Sequence, residues 1–284
     1  MEKDLRFPGF RTKAFTLSYD DNTRFDIPFA EILNKYDLKC TFNLNGNNFA
    51  DTPGGKMMTK QEAIDLLKNS PHEVALHSYT HPALEELSDM EIVYNILKDR
   101  ETLEEMFDTI VTGMAYPYGS YDQRVLTVLR SLGVKYSRTT QSHEAFKIPL
   151  SEQWLTMPAT CHHKCPRLME LADRFLAPDN PNQPWAIRSR LFYVWGHAYE
   201  FDTDKNWDLL EAFCQKIAHH DEVWYATNME IYTYVEAFRH LETSADGKIV
   251  YNPSTLEVFF TVKDNHTEIG TPYRVGPGET IRIE

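Results

Sequence analysis

Residues 14–21, Ala-Phe-Thr-Leu-Ser-Tyr-Asp-Asp, join a strand-like apolar run to two carboxylates at its end. A later strand-like run, residues 73–77, leads into the sequence HSYTH, which begins at His77 and ends at His81. Two carboxylates and two imidazoles at strand ends form a ligand set suited to a divalent metal that must also keep positions open for water and substrate. The pattern therefore predicts a metal-dependent hydrolase.

Strand-like and helix-like segments alternate outward from this run. The strand-like segments are residues 14–19, 39–44, 73–77, 110–116, 135–138, 154–159, 190–195 and 222–227. The helix-like segments are residues 24–36, 59–69, 88–107, 123–132, 166–176, 207–219 and 229–241. About seven or eight β/α units in series predict an α/β fold with a parallel sheet, most simply closed into a barrel. Such barrels collect their chemistry at the carboxyl ends of the strands, where five candidate residues fall: Asp20, Asp21, His77, Tyr118 and His197.

The pattern changes after residue 243. Short strand-like runs follow at residues 249–252, 256–262, 271–275 and 280–284, with turn residues between them. We expect residues 1–243 to form the barrel and residues 244–284 to form a small β-rich C-terminal extension packed on it. A structural role is the main interpretation of the extension, and a carbohydrate-contacting role is the alternative.

The composition limits the partners and the location. The net charge of −13 is offset by no basic stripe, so we expect neither nucleic acid nor an anionic membrane as a partner. No apolar run approaches the roughly 20 residues that span a bilayer. The first six residues lack the apolar core of a signal peptide, which favours a cytoplasmic location, although an exported protein without its leader would begin in the same way. The sequence gives no indication of the oligomeric state.

The two carboxylates and the two histidines allow different roles. Because adjacent residues of an extended chain point in opposite directions, Asp20 and Asp21 cannot easily share one role. One can ligate a metal while the other acts as a base, and a turn of ordinary composition is the alternative. The i, i+4 spacing of His77 and His81 puts both rings on one side of a helical turn or tight loop, and a pair of surface histidines is the alternative.

Two further strand ends carry candidate residues. The sequence YPYG at residues 116–119 predicts a rigid turn whose backbone N–H could line an oxyanion hole. The sequence WGH at residues 195–197 places His197 after a strand, where a histidine can serve as a general acid. Taken alone, each segment is also compatible with an ordinary structural role.

In this order, the four segments resemble the motifs of the polysaccharide deacetylases, carbohydrate esterase family 4. The resemblance covers roughly residues 14–200 and implies a distorted (β/α) barrel of about seven strands. It also implies the roles of the site residues: Asp20 as the catalytic base, Asp21, His77 and His81 as the metal ligands, the backbone amide of Tyr118 as an oxyanion donor, and His197 as the catalytic acid.

The sequence departs from the family pattern at three places. Family members usually carry an arginine, paired with the catalytic base, at the position of Ala115, so Asp20 either lacks that partner or borrows another. The aspartate-tryptophan motif that orients the acid histidine is not evident, and Glu152 and Trp154 match it only loosely. Asn22 replaces a glycine of the first motif.

The sequence CHHKC at residues 161–165 lies where the absent motif would contribute. Its two cysteines do not have zinc-knuckle spacing, so a second metal site is a minor alternative to a structural role. His162 and His163 are candidates to line the substrate pocket together with Trp195 and Tyr118. Nothing in the cysteine pattern demands a disulfide framework.

The sequence therefore favours a metal-dependent deacetylase of N-acetylated, or less favourably O-acetylated, carbohydrate. The expected cofactor is one divalent metal ion, with zinc as the default and cobalt, nickel, manganese or iron also compatible. A hydrolase of cyclic amides or imides, and a carbohydrate-binding protein on a decayed enzyme fold, are the alternatives.

Overall fold

The structure is a computed structural model that describes residues 2–180, 183, 187–263 and 270–283. Its strands are β1 (Glu2–Arg6), β2 (Lys13–Asp20), β3 (Thr41–Leu44), β4 (Glu73–Leu76), β5 (Gly113–Ala115), β6 (Tyr136–Ser142), β7 (Met157–Ala159), β8 (Cys161–His162), β9 (Arg190–Gly196), β10 (Val223–Tyr225), β11 (Glu242–Thr243), β12 (Ile249–Tyr251), β13 (Val258–Lys263), β14 (Thr271–Val275) and β15 (Thr280–Arg282). Its α-helices are α1 (Asp26–Lys35), α2 (Lys60–Leu67), α3 (Asp89–Phe107), α4 (Gln123–Ser131), α5 (Leu168–Leu176), α6 (Tyr199–Thr203), α7 (Trp207–Ile217) and α8 (Asn228–Arg239).

A parallel sheet forms the main body, and its strands follow the order β7-β6-β5-β4-β3-β2-β9-β8, with β10 also paired to β2. Both ends of this order, β7 and β8, belong to one stretch of chain and are separated by Thr160 alone. The Thr160 N–H donates to the carbonyl oxygen of Tyr193 on β9 at 2.8 Å, so this stretch joins β6 on one side to β9 on the other. The predicted α/β class with a mostly parallel sheet and helices is confirmed, while closure of the sheet into a barrel stays a prediction.

Helices α2 and α3 begin next to residues 59 and 88, where the predicted helix-like segments start, and each has a capping residue there. Thr59 opens α2 and Ser88 opens α3, and in each case the hydroxyl accepts the N–H of a glutamate three residues later, whose carboxylate accepts the capping N–H in return. Thr227 opens α8 in the same way. These caps satisfy N–H groups that have no partner inside the helix, so they set where the connections between strand ends and helices lie.

One predicted strand is partly wrong. Residues 154–159 read as a strand, but a 3-10 helix occupies Ser151–Thr156 and only Met157–Ala159 form β7. The indole N–H of Trp154 donates to Glu236 on α8 at 2.7 Å, and the ring lies beneath the Arg239 guanidinium. These contacts draw Trp154 toward α8 and out of strand geometry.

The C-terminal region is β-rich, as the turn pattern predicts. In the described part of the chain it contains the sheet β11-β12-β15 and the sheet β1-β13-β14. The second sheet takes its edge strand from the N-terminus, because Leu5 pairs with Phe260 in an antiparallel register. The division at residue 243 stays a prediction, and the last residue of the predicted strand 280–284 lies outside the described residues.

Within the described ranges, we find no helix with the length and apolar character needed to span a bilayer.

Candidate active site

The predicted site residues converge at the carboxyl edge of the parallel sheet. Asp20 ends β2, His77 directly follows β4, and His197 directly follows β9. Parallel strands carry their carboxyl ends to one edge, so residues far apart in sequence meet there. The four predicted segments are therefore brought to one place by the strand order.

Asp21, His77 and His81 form a group that could hold a metal ion. The Nε2 atoms of His77 and His81 lie 3.6 and 3.5 Å from Asp21 Oδ1. Ligands of a tetrahedral ion at bond lengths of about 2.0–2.2 Å would be separated by roughly 3.3–3.6 Å, so both distances fit a bound cation.

The hydrogen bonds around His77 prepare its ring for a metal. His77 Nδ1 lies 2.9 Å from the Ala115 carbonyl oxygen, which can only accept, so Nδ1 carries the proton and Nε2 presents a lone pair toward Asp21. The Asn45 amide donates to the carbonyl oxygens of His77 and Ser78 at 2.6 and 2.9 Å and fixes the loop. The loop turns through left-handed backbone at Ser78 (φ 65°) and His81 (φ 55°), so it is a tight loop and not a helical turn.

Asp20 has an arginine partner, although the position where the family usually carries that arginine is occupied by Ala115. Arg138 on β6 donates from Nη2 to Asp20 Oδ2, and Asn43 donates to Oδ1 at 2.8 Å. Arg138 is paired in register with Ala115 on the adjacent strand β5, so the guanidinium comes from the next strand along. Burial raises the pKa of Asp20, but the charges of Arg138, His77 and His197 outweigh burial and leave that pKa below its ordinary value.

His197 lies beside both carboxylates. Its Nε2 atom is 3.9 Å from Asp20 Oδ2 and 3.8 Å from Asp21 Oδ2, while its Nδ1 atom is 3.1 Å from Glu200 Oε2. Burial lowers the pKa of His197, but the hydrogen bond to Glu200 and the nearby Asp20 and Asp21 charges outweigh burial, so that pKa is raised. The ring can therefore be protonated and turned toward the candidate metal ligands.

Sequence reasoning missed Arg138 and Glu200. Arg138 stands in a strand-like run, where a buried charge signals a buried partner, yet the partner itself was not identifiable. Glu200 follows His197 at i+3, a spacing that brings side chains together on a helical turn. That signal was present but is also ordinary for the first turn of a helix.

The remaining predicted residues lie around this centre. Tyr118 has left-handed backbone (φ 57°), and its ring, 68% exposed, packs edge-on against His81 at 4.6 Å between centroids. Trp195 is largely buried with its ring 4.4 Å from the Arg138 guanidinium, and His162 lies edge-on to it at 4.5 Å. The oxyanion role of Tyr118 and the substrate contacts of Tyr118, Trp195 and His162 stay predictions.

His163 is the least accessible of the predicted pocket residues. It is 2% exposed, its ring stacks on Phe201, and its Nδ1 atom lies 3.3 Å from the Tyr19 hydroxyl. Burial, together with the neighbouring His162, lowers the pKa of His163 to about 3. A neutral ring enclosed in this way lies behind the pocket surface, so the predicted substrate contact of His163 has no support from the geometry.

The four cysteines, all within the described residues, are free thiols. Burial raises the pKa of Cys214 to about 12 and that of Cys161 further still. Buried thiols of this kind behave as small apolar side chains.

Part of the chain is similar to known proteins. Residues 9–137 match the model of the family described as polysaccharide deacetylase. Over 118 residues the chain is 30% identical to a chitin deacetylase of Colletotrichum lindemuthianum, covering 41% of this chain and 46% of that protein. The chain spans about a quarter to a half of the length of the curated relatives that it matches.

Solved structures share the fold. A protein of Mycobacterium smegmatis, described as a polysaccharide deacetylase, superimposes with a TM-score of 0.59 at 15% identity, covering 84% of this chain and 95% of that chain. A mutant of a Bacillus anthracis family 4 carbohydrate esterase pseudoenzyme, with restored enzymatic activity, gives 0.51 at 21% identity, covering 80% and 69%. At these identities the likeness shows the fold alone.

The fold and the site thus define an α/β protein with a 2-His-1-carboxylate group at the carboxyl edge of a parallel sheet. The resemblance of this chain to the polysaccharide deacetylases, carbohydrate esterase family 4, is confirmed, and residues 9–137 are the part that matches the family model.

Proposed function

We propose that this protein is a metal-dependent hydrolase that removes acetyl groups from N-acetylated carbohydrate, with O-acetylated sugars as less favoured substrates. The observation that carries the proposal is that Asp20 Oδ2 and His197 Nε2 lie 3.9 Å apart beside Asp21. A base and an acid that border one metal-ligand group are what hydrolysis of an amide requires. Relatives named as chitin and peptidoglycan N-acetylglucosamine deacetylases support an acetylated amino sugar as the substrate.

Asp21, His77 and His81 would hold the metal, and zinc suits two imidazoles and one carboxylate. When bound, a divalent cation supplies Lewis acidity toward the acyl oxygen and makes water a stronger acid. The spacing of the three ligand atoms and the Nδ1–H bond of His77 to the Ala115 carbonyl oxygen support this assignment.

The chain's own residues would carry the proton transfers. Asp20, kept ionised by Arg138, accepts a proton from the attacking water as the new carbon–oxygen bond forms. The Tyr118 backbone N–H donates to the oxyanion of the tetrahedral adduct. His197 gives its Nε2 proton to the leaving nitrogen as the carbon–nitrogen bond breaks, which releases acetate and a free amine.

A cavity beside the metal-ligand group fits a small polar substrate. It has a volume of about 240 Å³ and is lined by Asp21, Asn47, Tyr79, His81 and Tyr199, among other residues. This is less than the roughly 300–1,000 Å³ of pockets for drug-sized ligands. Amide, hydroxyl and aromatic side chains are suited to one sugar unit with its acetyl group.

The test is acetate release from chitooligosaccharides and peptidoglycan fragments by the zinc-loaded protein. We expect activity that falls at least 100-fold in Asp20→Asn, since a positioned base contributes roughly 10²–10⁴-fold. Asp65→Asn, an exposed aspartate that accepts from Gln61, is the matched control and should behave as the unmodified protein. A metal-loaded protein that is inert on a broad acetylated panel would refute the proposal.

Two other outcomes select the alternatives. Activity on cyclic amides or imides, with none on acetylated sugars, would assign the site to those substrates. Glycan binding without hydrolysis would instead indicate a carbohydrate-binding protein on a decayed enzyme fold.

A cytoplasmic location also remains part of this proposal.

A further inference from the structure

Glu200, in the first turn of α6, gathers hydrogen-bond donors from three sides. Its Oε2 atom lies 3.1 Å from His197 Nδ1, 3.1 Å from the His197 backbone N and 3.1 Å from His162 Nε2. Its Oε1 atom lies 3.2 Å from the Lys164 ammonium. Burial raises the pKa of Glu200, but the hydrogen bonds from His162 and His197 outweigh burial and hold that pKa well below its usual range. The carboxylate is therefore an ionised acceptor at the centre of a cluster.

The same cluster resembles a second metal site, because His162, His163 and Glu200 offer ligand atoms within 4.8 Å of one another. The proton on His162 argues against a metal. His162 Nδ1 accepts the Lys164 backbone N–H at 3.1 Å, so the neutral ring carries its proton on Nε2, facing Glu200. His77 has the opposite arrangement, with its proton on Nδ1 and the lone pair on Nε2. The Lys164 ammonium beside Glu200 also disfavours a further cation.

His197 is the group that this cluster orients. When Nδ1–H donates to Glu200, Nε2 is turned toward Asp20 and Asp21. A carboxylate that holds one nitrogen of an imidazole fixes the tautomer and the ring direction of the other, as in a catalytic triad. His162 in turn lies edge-on against Trp195, so its donation to Glu200 comes from a packed ring.

We propose that Glu200 is the positioning residue for His197 and that His162 and Lys164 hold Glu200 in place. This inference rests on the proposed function, in which His197 protonates the leaving group. It assigns to His162 and Lys164 a supporting role in hydrolysis, and it makes the cluster a hydrogen-bonded network and not a metal site.

The kinetic test compares two leaving groups in the zinc-loaded protein. The leaving nitrogen of a chitooligosaccharide amide must be protonated. The leaving group of 4-nitrophenyl acetate is 4-nitrophenolate, which is stable without a proton. We expect Glu200→Gln to lower kcat on the amide by roughly 10²-fold with little change in KM, and to leave kcat on the aryl ester within about threefold. Equal losses on both substrates, or no loss on either, would overturn the proposal.

The matched control is Glu211→Gln. Glu211 on α7 also accepts from a lysine, Lys35, and from the Tyr36 hydroxyl, but it lies outside the cluster. We expect unchanged kinetics on both substrates. Because each variant removes a carboxylate charge that faces one lysine, a difference between the two variants reports the contacts of Glu200 with His197 and His162.

Two readouts do not depend on activity. Nitrogen-15 NMR of the imidazoles at one fixed pH should show His197 protonated at Nδ1, with the signal assigned by its absence in His197→Gln, and Glu200→Ala should shift or remove it. Zinc content should be one equivalent in both the unmodified protein and Glu200→Gln. An unshifted His197 signal, or a second zinc equivalent that Glu200→Gln removes, would refute the positioning role. If the unmodified protein hydrolyses no acetylated substrate, the proposed function fails while these readouts still decide the role of Glu200.

Discussion

Replacing Arg138 by methionine tests whether Asp20 depends on a partner from the neighbouring strand. Arg138 is fully buried and Asp20 is 3% exposed, so water cannot replace the lost guanidinium. Removing one partner of a buried ion pair costs about 3–5 kcal/mol, because the other charge remains unpaired. The contact of Arg138 with the Trp195 ring is lost as well. We expect the free energy of unfolding to fall by about 3–5 kcal/mol.

Urea unfolding of four proteins separates the ion pair from general packing. The proteins are the unmodified chain, Arg138→Met, Asp20→Asn and the double variant. We expect Arg138→Met to cost at least 2 kcal/mol less in the Asp20→Asn background, because no unpaired carboxylate remains there. Equal costs in both backgrounds, or a cost of Arg138→Met below about 1 kcal/mol, would show that Asp20 does not depend on Arg138.

Three further predictions concern metal, backbone and pH. Asp21→Ala should bind less than one tenth of the zinc held by the unmodified protein, measured by atomic emission after dialysis, and zinc retention would contradict the ligand assignment. Tyr118→Ala should keep kcat within about threefold and raise KM, because only the backbone N–H is assigned to the oxyanion and the ring is exposed; a large loss in kcat would assign chemistry to the ring. Burial, with the nearby Lys39, lowers the pKa of His72 to about 4, below its unfolded value of about 6.5. The folded protein therefore favours the neutral ring. This contribution to stability, up to about 3 kcal/mol, is fully present above pH 6.5 and is lost as the pH falls toward 4. Urea unfolding of His72→Gln should show a shallower pH slope in that window, and an unchanged slope would refute the assignment.

The sequence was sufficient to predict that the four segments converge, because this convergence follows from local patterns. Alternating strands and helices imply a parallel sheet, and a parallel sheet carries residues at strand ends to one edge. Asp21, His77 and His81 could therefore be grouped without knowing which strands are neighbours. The capping residues Thr59 and Ser88 likewise act within a single turn, so the helix starts were predictable.

The partners of His197, the proposed acid, and of Asp20, the proposed base, could not be predicted from local patterns. Arg138 reaches Asp20 across 118 positions, and only the register between β5 and β6 shows that it stands beside Ala115. Strand register depends on packing across the whole sheet, which local periodicity does not report. The pairing of β1 with β13 joins opposite ends of the chain and was missed for the same reason.

The stretch of chain that carries β7 and β8 contributes both end strands of the parallel sheet. The β8–β9 pairing has two register positions, Cys161 and His162, whereas β2 and β9 pair at seven. The pairing of β7 with β6 is irregular as well, so this stretch is held by short ladders. Local opening starts where ladder hydrogen bonds are few. His162 lies on this stretch and contacts Glu200, so loosening of β8 would weaken the contact that orients His197, the proposed acid.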